Sequence, residues 1–235
     1  MQSISLTHLI IGFIPSLMVL LYLLKFTTTA KNISYAMLRM LIQLLLIGYI
    51  LNSIFTSNSV WPILIILSIM LIASSWIALS NIAIKPYRKR LFAYVLLAIL
   101  VSSSSNLLIV IFAVLEVSPW YDAKVLIPIA GMIFASSMNS VSLAAERLIA
   151  EYQRDKDYQK AQQAALQAAL IPITNSLFAV GLVSLPGMMT GQILSGVSPL
   201  IAARYQIMVM CMLFASSGIS AIIFLHLAKN TIKSC

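Results

Sequence analysis

The chain has 235 residues, of which 61% are hydrophobic and only 9% are charged. A soluble domain carries roughly 25% charged residues, so this chain lacks the charge to cover a surface in water, and lipid must be its solvent. The composition argues against a soluble enzyme. It predicts an all-α membrane protein, because a helix satisfies its own backbone hydrogen bonds in lipid.

Long runs without Asp, Glu, Lys or Arg mark the membrane spans along the chain. A helical span needs about 20 residues at a rise of about 1.5 Å each. We predict about seven spans, which cover residues 5–24, 36–55, 60–83, 91–115, 125–145, 170–194 and 205–228. The first run is interpreted as a retained span, because no basic segment precedes it and it ends at Lys25. On this interpretation residues 1–235 form a single transmembrane domain.

The distribution of lysine and arginine predicts the orientation of these spans. With the N-terminus outside, the 15 Lys and Arg residues fall on the inner side, except for Lys124 and Arg204. Inner loops of membrane proteins carry the excess of positive charge. We therefore predict an outer N-terminus and a cytoplasmic C-terminus. The net charge of +9 then reflects topology, and no nucleic-acid partner is expected.

The longest polar segment, residues 146–167, is predicted to be a cytoplasmic loop between the fifth and sixth spans. Charges of both signs recur there at steps of three and four residues, as on the solvated face of a helix. The segment is either a plain helical hairpin or a docking surface for another protein. For a docking surface, the candidate contact residues are Arg147, Glu151 and Arg154.

Uncharged polar residues and methionines enter the predicted spans, and some of them are candidates for a cation path. We interpret the serine clusters as helix-packing residues. Amides cost more to bury, so each one either pairs within the bundle or faces a pathway. A methionine either fills a gap in the packing or acts as a soft donor to a metal ion. Methionine and amide side chains alone do not identify the metal. The candidate path residues are Gln43, Met132, Met138, Asn139, Asn175, Met188 and Met189.

The stretch SLPGMMTGQILSG, residues 184–196, predicts a broken helix at membrane depth. Pro186 lacks a backbone donor, and Gly187 permits unusual backbone conformations. Gly187 and Gly191 form a GxxxG pair, which is typical of a close helix contact. Broken backbone in a membrane is tolerated only beside protein or a water-filled cavity. We therefore predict that this segment lies at a helix interface or beside a pathway.

Motifs for catalysis and nucleotide binding are absent from the sequence. None of the eight glycines is followed by lysine, which excludes a P-loop on this chain, and there is no HExxH motif. No carboxylate lies inside a predicted span, so a proton relay of the usual intramembrane kind has no residue to carry it. We expect no enzyme activity and no bound cofactor on this chain.

Several stretches resemble one known family of transport proteins. From about Arg39 to the last span, the chain is similar to the FetB-type permease family. The matching stretches are IPIAGM at 127–132, ERL at 146–148, ALIP at 169–172, SLPGMMTGQILSG at 184–196 and YQIMV at 205–209. That family supplies the membrane subunit of a bacterial ABC iron exporter, and its plant relatives are linked to aluminium tolerance.

The resemblance implies a permease that exports metal cations, with iron as the expected cargo, across a bacterial inner membrane. It also implies a separate ATP-binding subunit, which would bind and hydrolyse the ATP, and a homodimer of permease chains. The matching positions also include Arg39, Gln43-Leu44, Gly48-Tyr49, Met138-Asn139 and Ser142-Leu143.

Two departures from the family pattern keep other functions open. Family members usually carry a longer inner loop with a glycine-containing turn, whereas residues 156–167 contain no glycine. A Gly-Asn pair of the family is replaced by Ala135 and Ser136. A self-contained channel or facilitator that is not driven by ATP is the alternative that a shorter loop would allow. A membrane protein that binds partners without transport is a third.

The orientation is tested by cysteine labelling in a variant whose Cys211 and Cys235 are changed to serine. With Ser59→Cys, the new thiol is expected to react with an impermeant reagent in intact cells, because residue 59 lies in a predicted outer loop. With Lys89→Cys, the thiol is expected to be protected until the cells are opened. The reverse pattern of labelling would contradict the predicted orientation.

Overall fold

The computed structural model describes residues 5–26, 30–55, 59–80 and 88–233. These residues are almost entirely helical, as the composition predicts. The helices in chain order are α1 (Leu6–Phe26), α2 (Ala30–Phe55), α3 (Val60–Ala78), α4 (Arg88–Leu108), α5 (Ala123–Asp155), α6 (Tyr158–Ala179), α7 (Gly187–Leu194), α8 (Pro199–Leu227) and α9 (Lys229–Lys233). A π-helical segment, Ile109–Val114, continues α4.

The chain divides into two compact units, residues 1–58 and 59–235. In the first unit, α1 and α2 pack against each other. In the second unit, α5 is the central helix and contacts α3, α4, α6 and α8. The second unit therefore contains all of the candidate residues except Gln43.

Six helices in the described part of the chain are long and apolar enough to cross a membrane: α1, α2, α3, α4 with its π-helical continuation, α5 and α8. This result confirms an all-α fold with multiple spans, close to the predicted seven. The difference concerns the predicted span 170–194, which the structure divides between α6 and α7. α6 starts with the glutamine-rich stretch 158–167, which lowers its mean hydropathy, and it ends at Ala179.

The ends of the other helices differ from the predicted spans by a few residues. α2 begins at Ala30 rather than at residue 36, and α8 begins at Pro199 rather than at residue 205. Proline suits the first position of a helix, because the N–H that it lacks would have no partner there. The last residues of the predicted span 60–83, which are 81–83, lie outside the described residues.

The predicted loop 146–167 is helical over nearly its whole length. α5 continues to Asp155 and α6 begins at Tyr158, so only a short turn separates the two helices. Asp157 caps α6, because its carboxylate accepts hydrogen bonds from the backbone N–H groups of Gln159 and Lys160 at 3.0 and 3.3 Å. Such a cap stabilises a helix by about 1 kcal/mol. The segment is therefore a tight helical hairpin.

Small residues let α5 approach its neighbours closely. Ala144 on α5, Ala165 on α6 and Ala221 on α8 are completely buried. Gly131 of α5 faces α3, where an added Cβ atom would lie 3.2 Å from the Cε atom of Met70. Helices in lipid associate through close packing and hydrogen bonds rather than through the hydrophobic effect. The small side chains therefore permit the contacts that hold the bundle together.

Serines join α8 to α4 and to α5, and we call this set the serine seam. The hydroxyls of Ser136 and Ser217 share a hydrogen bond of 2.6 Å, and Ser140 donates to the carbonyl of Ser217 at 2.9 Å. Ser102 of α4 donates to the carbonyl of Ser216 at 3.0 Å. A hydrogen bond between membrane helices contributes about 0.6 kcal/mol on average. The serines of the seam are therefore packing residues, as predicted.

Candidate functional site

α5 is longer than a membrane is thick. Its 33 residues extend about 50 Å at about 1.5 Å per residue, whereas a hydrocarbon core is about 30 Å thick. The charge-free run within α5 ends at Ala145. The last turns of α5 and the first turns of α6 therefore project beyond the membrane. We call this projecting segment, residues 146–167, the hairpin tip.

A buried carboxylate holds two arginines in place at the hairpin tip. An Nη2 atom of Arg147 lies 2.6 Å from Glu151 Oε1, and Nη2 of Arg154 lies 2.7 Å from Glu151 Oε2. The side chain of Glu151 is 9% exposed, whereas those of Arg147 and Arg154 are 52% and 67% exposed. Arg154 also pairs with Asp155, with Nε 3.1 Å from Oδ1. The two guanidinium groups are thus held in defined positions at the surface.

The structure changes the role of Glu151 among the three predicted docking residues. Its carboxylate is buried and pairs with both arginines, so it does not lie on an exposed contact face. A buried carboxylate is tolerated when it is paired and hydrogen-bonded. Glu151 therefore positions Arg147 and Arg154, and these two arginines are the predicted docking residues that are exposed on the hairpin tip.

The helix break at the opposite end of the bundle lies where the Pro-Gly pair stands in the sequence. α6 ends at Ala179, and Gly181 in the following turn has a φ of 84°. A positive φ of this size favours glycine, because other residues are strained there. Pro186 directly precedes Gly187, the first residue of α7. The predicted span 170–194 is therefore interrupted after Ala179, and residues 187–194 form a separate short helix.

Gly187 and Gly191 do not make the close helix contact that the GxxxG pair predicts. A Cβ atom added at either glycine would meet no neighbouring atom within 4 Å. α7 has only eight residues and packs on α8. A GxxxG face brings helices together only when a second long helix crosses it, and no described helix does so here.

Two cavities flank α7 in the described part of the second unit. The first, of about 330 Å³, is lined by Met189 of α7 and by Gln206 and Met210 of α8. The second, of about 590 Å³, lies toward α5 and is lined by Met188 and Gln192 of α7. Successive residues of a helix point about 100° apart, so the two adjacent methionines face different cavities.

Gln192 and Gln206 are candidate site residues that sequence reasoning missed. The side-chain oxygen of Gln192 is buried and accepts no hydrogen bond from any described residue. Gln206 is 6% exposed and lines the smaller cavity. A buried oxygen without a partner costs about 1–3 kcal/mol, so a polar ligand in the cavity would stabilise it. The sequence did contain a signal for Gln192. It follows Met188 by four residues, so the two side chains lie on the same face of a helix.

Of the three amides predicted for a cation path, the two in the second unit, Asn139 and Asn175, do not line these cavities. Asn139 on α5 and Asn175 on α6 are exposed on the surface of the second unit. Gln43 is exposed on α2, which belongs to the first unit. Within the second unit, neither Asn139 nor Asn175 therefore joins the residues beside α7 in one site.

The four predicted methionines are divided between the core and the cavities. Met132 and Met138 on α5 are half-buried, and Met138 packs against the main apolar core. Met188 and Met189 line the two cavities beside α7. Within the described ranges, no group of three or more His, Cys, Asp and Glu side chains could hold a metal ion. The sulfur and amide groups near α7 are neutral donors.

Exposed apolar surface completes the description of the bundle. Large side chains such as Leu182, Val183 and Leu200 are exposed in the second unit, which suits contact with lipid rather than water. Together with the six apolar helices, this surface defines a polytopic α-helical membrane protein with a projecting polar hairpin. The chain belongs to the uncharacterised protein family UPF0014, whose family model matches residues 4–232.

Curated relatives cover most of the chain. A UPF0014 membrane protein of Synechocystis is 35% identical over 199 residues, which are 78% of this chain and 76% of that protein. The Probable iron export permease protein FetB of Escherichia coli is 34% identical over 212 residues, 84% of this chain and 80% of that protein. The protein ALUMINUM SENSITIVE 3 of Arabidopsis thaliana is 32% identical over 205 residues, 80% and 72% of the two chains. No solved structure matches the chain.

The role of Glu151 is tested by thermal unfolding of the purified protein. Glu151→Gln removes a buried charge that pairs with two arginines, and we expect it to destabilise the fold by about 1–3 kcal/mol. At about 2–4 °C per kcal/mol for a chain of this size, the Tm should fall by several degrees. Asp155→Asn is the matched control, because this exposed carboxylate pairs with the same Arg154, and solvent screens an exposed ion pair so that its loss should change the Tm little. Equal Tm values for the two variants would contradict the positioning role.

Proposed function

We propose that this chain is the membrane-spanning permease subunit of an ABC-type transporter that exports metal cations, iron among them, across a bacterial inner membrane. The name of the Escherichia coli relative, Probable iron export permease protein FetB, supports export of iron. The observation that carries the proposal is the hairpin tip, where Glu151 holds Arg147 and Arg154 in fixed, exposed positions beyond the apolar span.

The hairpin tip would bind a separate ATP-binding subunit, which would hydrolyse the ATP. Two positioned guanidinium groups suit recognition of carboxylates on such a partner, because arginine forms paired hydrogen bonds with them. The tip is continuous with α5, the central helix of the bundle. A partner that displaces the tip would therefore act directly on the helix that contacts α3, α4, α6 and α8. The chain itself would carry out no catalysis.

A homodimer of permease chains would cover the exposed amides of the second unit. Asn139 lies in the apolar part of α5, and Asn175 lies in the apolar half of α6, yet both are exposed. An amide that faces hydrocarbon lacks a hydrogen-bond partner, whereas a second protein chain can supply one. A cation route between two copies could then use these amides together with the groups near α7.

The donors available for a transported cation are neutral. Met188, Met189, Gln192 and Gln206 offer thioether sulfur and amide oxygen near α7. Such donors bind divalent metals weakly, which suits a step that must also release its ion. Ferrous iron is a suitable cargo on this basis, while bare ferric iron prefers hard anionic oxygen. The transported metal is a substrate, and we propose no resident cofactor.

A self-contained channel or facilitator is the alternative function. The short turn between α5 and α6 favours it, because only a small loop is available outside the helices for a partner to bind. Metal flux into vesicles that contain this chain without any nucleotide would support the alternative. The ABC-type permease should show no such flux unless its ATP-binding subunit and ATP are present.

Docking is tested by co-purification with the ATP-binding chain encoded nearest to this gene. Arg147→Glu together with Arg154→Glu should abolish co-purification, because like charges at a polar interface reduce both affinity and association rate. Since these changes also place negative charge beside Glu151, the milder pair Arg147→Gln and Arg154→Gln should be measured too, with the Tm of each variant.

Lys89→Glu together with Arg90→Glu is the matched control for docking. These two residues are exposed at the start of α4, on the same predicted side of the membrane. The control should retain the ATP-binding chain. Loss of co-purification in the control, with full retention in the variants of the hairpin tip, would place the contact at α4 and contradict the proposed docking surface.

The cation route is tested by metal tolerance in cells at matched protein levels. Met188→Leu and Gln192→Leu remove donor atoms beside α7 with little change in volume, so tolerance to excess iron should fall while the Tm stays close to that of the wild type. Met138→Leu is the control, because Met138 packs against the core and should tolerate leucine without loss of function. If Met188→Leu and Gln192→Leu keep full metal tolerance, as the control should, the donors beside α7 do not form the cation route. Gln43 and Asn175 would then be the next candidates.

A further inference from the structure

Sulfur-containing side chains from two helices meet at the smaller of the two cavities beside α7. Met189 comes from α7, and Met210 and Cys211 come from α8. Cys211 is a free thiol that forms no disulfide bond, and its side chain is exposed. The cavity volume of about 330 Å³ leaves ample room for a single metal ion. We call this space, lined by Met189, Met210 and Cys211, the sulfur cavity.

Helical register explains why α8 supplies two of the three sulfur atoms. Gln206 and Met210 are four residues apart, as are Ile207 and Cys211, and all four line the sulfur cavity. Residues four apart lie on the same face of a helix, so the cavity follows one face of α8. Met189 is on the short helix α7, and the three rotatable bonds of a methionine let its sulfur adjust to a ligand. One long helix therefore fixes two donors, and an adaptable side chain supplies the third.

A buried amide without a partner indicates that the sulfur cavity holds more than an apolar filling. Gln206 is only 6% exposed, and its side chain forms no hydrogen bond with any residue that the structure describes. Burying such a group unpaired costs about 1–3 kcal/mol. A lipid chain in the cavity would leave the amide unpaired, whereas a metal site gives it two possible partners. Its oxygen can bind the metal ion, or its N–H can donate to the sulfur of Cys211.

The donor atoms of the sulfur cavity suit a soft metal ion. Thiol and thioether sulfur favour Cu(I), whereas Mg²⁺, Ca²⁺ and Mn²⁺ prefer carboxylate, carbonyl and water oxygen. No carboxylate and no imidazole are among the residues that line the cavity. A structural zinc ion is bound by four ligands drawn from cysteine, histidine and carboxylate side chains, and the cavity has a single residue of these types. The donor set therefore favours Cu(I).

Charge balance also favours a monovalent cation over a divalent one. Cys211 lies near the middle of α8, a helix long and apolar enough to cross a membrane, and no charged residue lines the cavity. When the thiol binds a metal ion, its S–H bond breaks, the proton passes to the surrounding water, and a sulfur–metal bond forms. The two thioethers donate lone pairs and lose no proton. A thiolate with a monovalent cation is neutral overall, whereas a divalent cation would leave one positive charge, which costs several kcal/mol in a medium of low dielectric constant.

We propose that the sulfur cavity binds one soft monovalent metal ion, Cu(I), through the sulfur atoms of Met189, Met210 and Cys211. The side chain of Gln206 completes the site, as a weak oxygen donor or as a hydrogen-bond donor to the thiolate. The proposal goes beyond the proposed function and does not rest on it, because the test of the iron route concerns Met188 and Gln192 at the larger cavity. Bound copper would join α7 to α8 beside the helix break.

The test uses the full-length protein with Cys235→Ser, purified in detergent without oxygen, and titrated with Cu(I) held by a coloured chelator. The protein should remove one Cu(I) per chain from the chelator, and the ultraviolet absorption of a copper–thiolate bond should appear. A large excess of ferrous iron should not displace the copper. The measurement needs neither nucleotide nor the ATP-binding chain, so its failure would leave the proposed permease function untouched, and a failure of that function would leave this site untouched.

Variants of the lining residues locate the bound copper. Cys211→Ser should abolish the ultraviolet absorption and lower the affinity by at least about 100-fold. Met189→Leu, Met210→Leu and Gln206→Leu should each lower it by about 10-fold or more, because even an indirect partner of a metal contributes about 10- to 100-fold. Met212→Leu is the matched control, because Met212 is buried on the same helix and does not line the cavity, and it should bind copper as the wild type does.

Three results would overturn the proposal. If the chelator keeps all of the copper, the sulfur-containing residues only fill space. If copper binding survives Cys211→Ser, or falls as much in Met212→Leu as in Met210→Leu, the metal lies elsewhere. If ferrous iron displaces the copper, the cavity does not select a monovalent ion. The Tm of each variant is measured without metal, and if Cys211→Ser lowers it, the affinity of Met189→Leu decides, because that change preserves the side-chain volume closely.

Discussion

Helices in a bilayer gain little from the hydrophobic effect, because lipid tails are as apolar as the side chains they would replace. This bundle therefore depends on the close approach of α5 to α8 and α4, which alanines permit and the serine seam directs. The hydrogen bond of Ser140 to the carbonyl of Ser217 fixes α5 against α8, and that of Ser102 to the carbonyl of Ser216 fixes α4 against α8. A larger side chain in the seam would separate the helices and displace the hairpin tip at the end of α5.

The features at both ends of the bundle depend on the position of α5. At one end the helix extends beyond the membrane and, with α6, forms the hairpin tip. At the other end it borders the larger cavity beside α7, where Gln192 has a buried oxygen without a described partner. On the proposed function, a force applied by a partner at the hairpin tip would travel along one continuous helix of 33 residues toward that cavity. The broken segment α6–α7 is the part of the bundle best suited to change shape in response.

The spans were predictable because charge-free runs report directly on lipid as the solvent, and the hairpin tip was predictable from its charge periodicity. The division of residues 170–194 was harder, since apolar composition does not distinguish one span from a short helix that follows a turn, although Pro186 marked the break. The burial of Glu151 could not be predicted, because spacing along a helix shows which charges can pair but not which face is covered. Gln192 was missed for a similar reason: its unpartnered oxygen depends on how α5, α7 and α8 meet.

The central claim is that this chain moves metal only in partnership with an ATP-hydrolysing subunit. The most direct measurement is the rate of ATP hydrolysis by that subunit when it is reconstituted in liposomes with this chain. The rate is compared with and without ferrous iron, in a buffer that keeps the iron reduced. We predict that iron stimulates hydrolysis with the wild-type chain, and that the stimulation disappears when Arg147 and Arg154 are changed to Gln. Hydrolysis that is indifferent to both iron and the permease chain, together with metal flux in the absence of nucleotide, would contradict the claim.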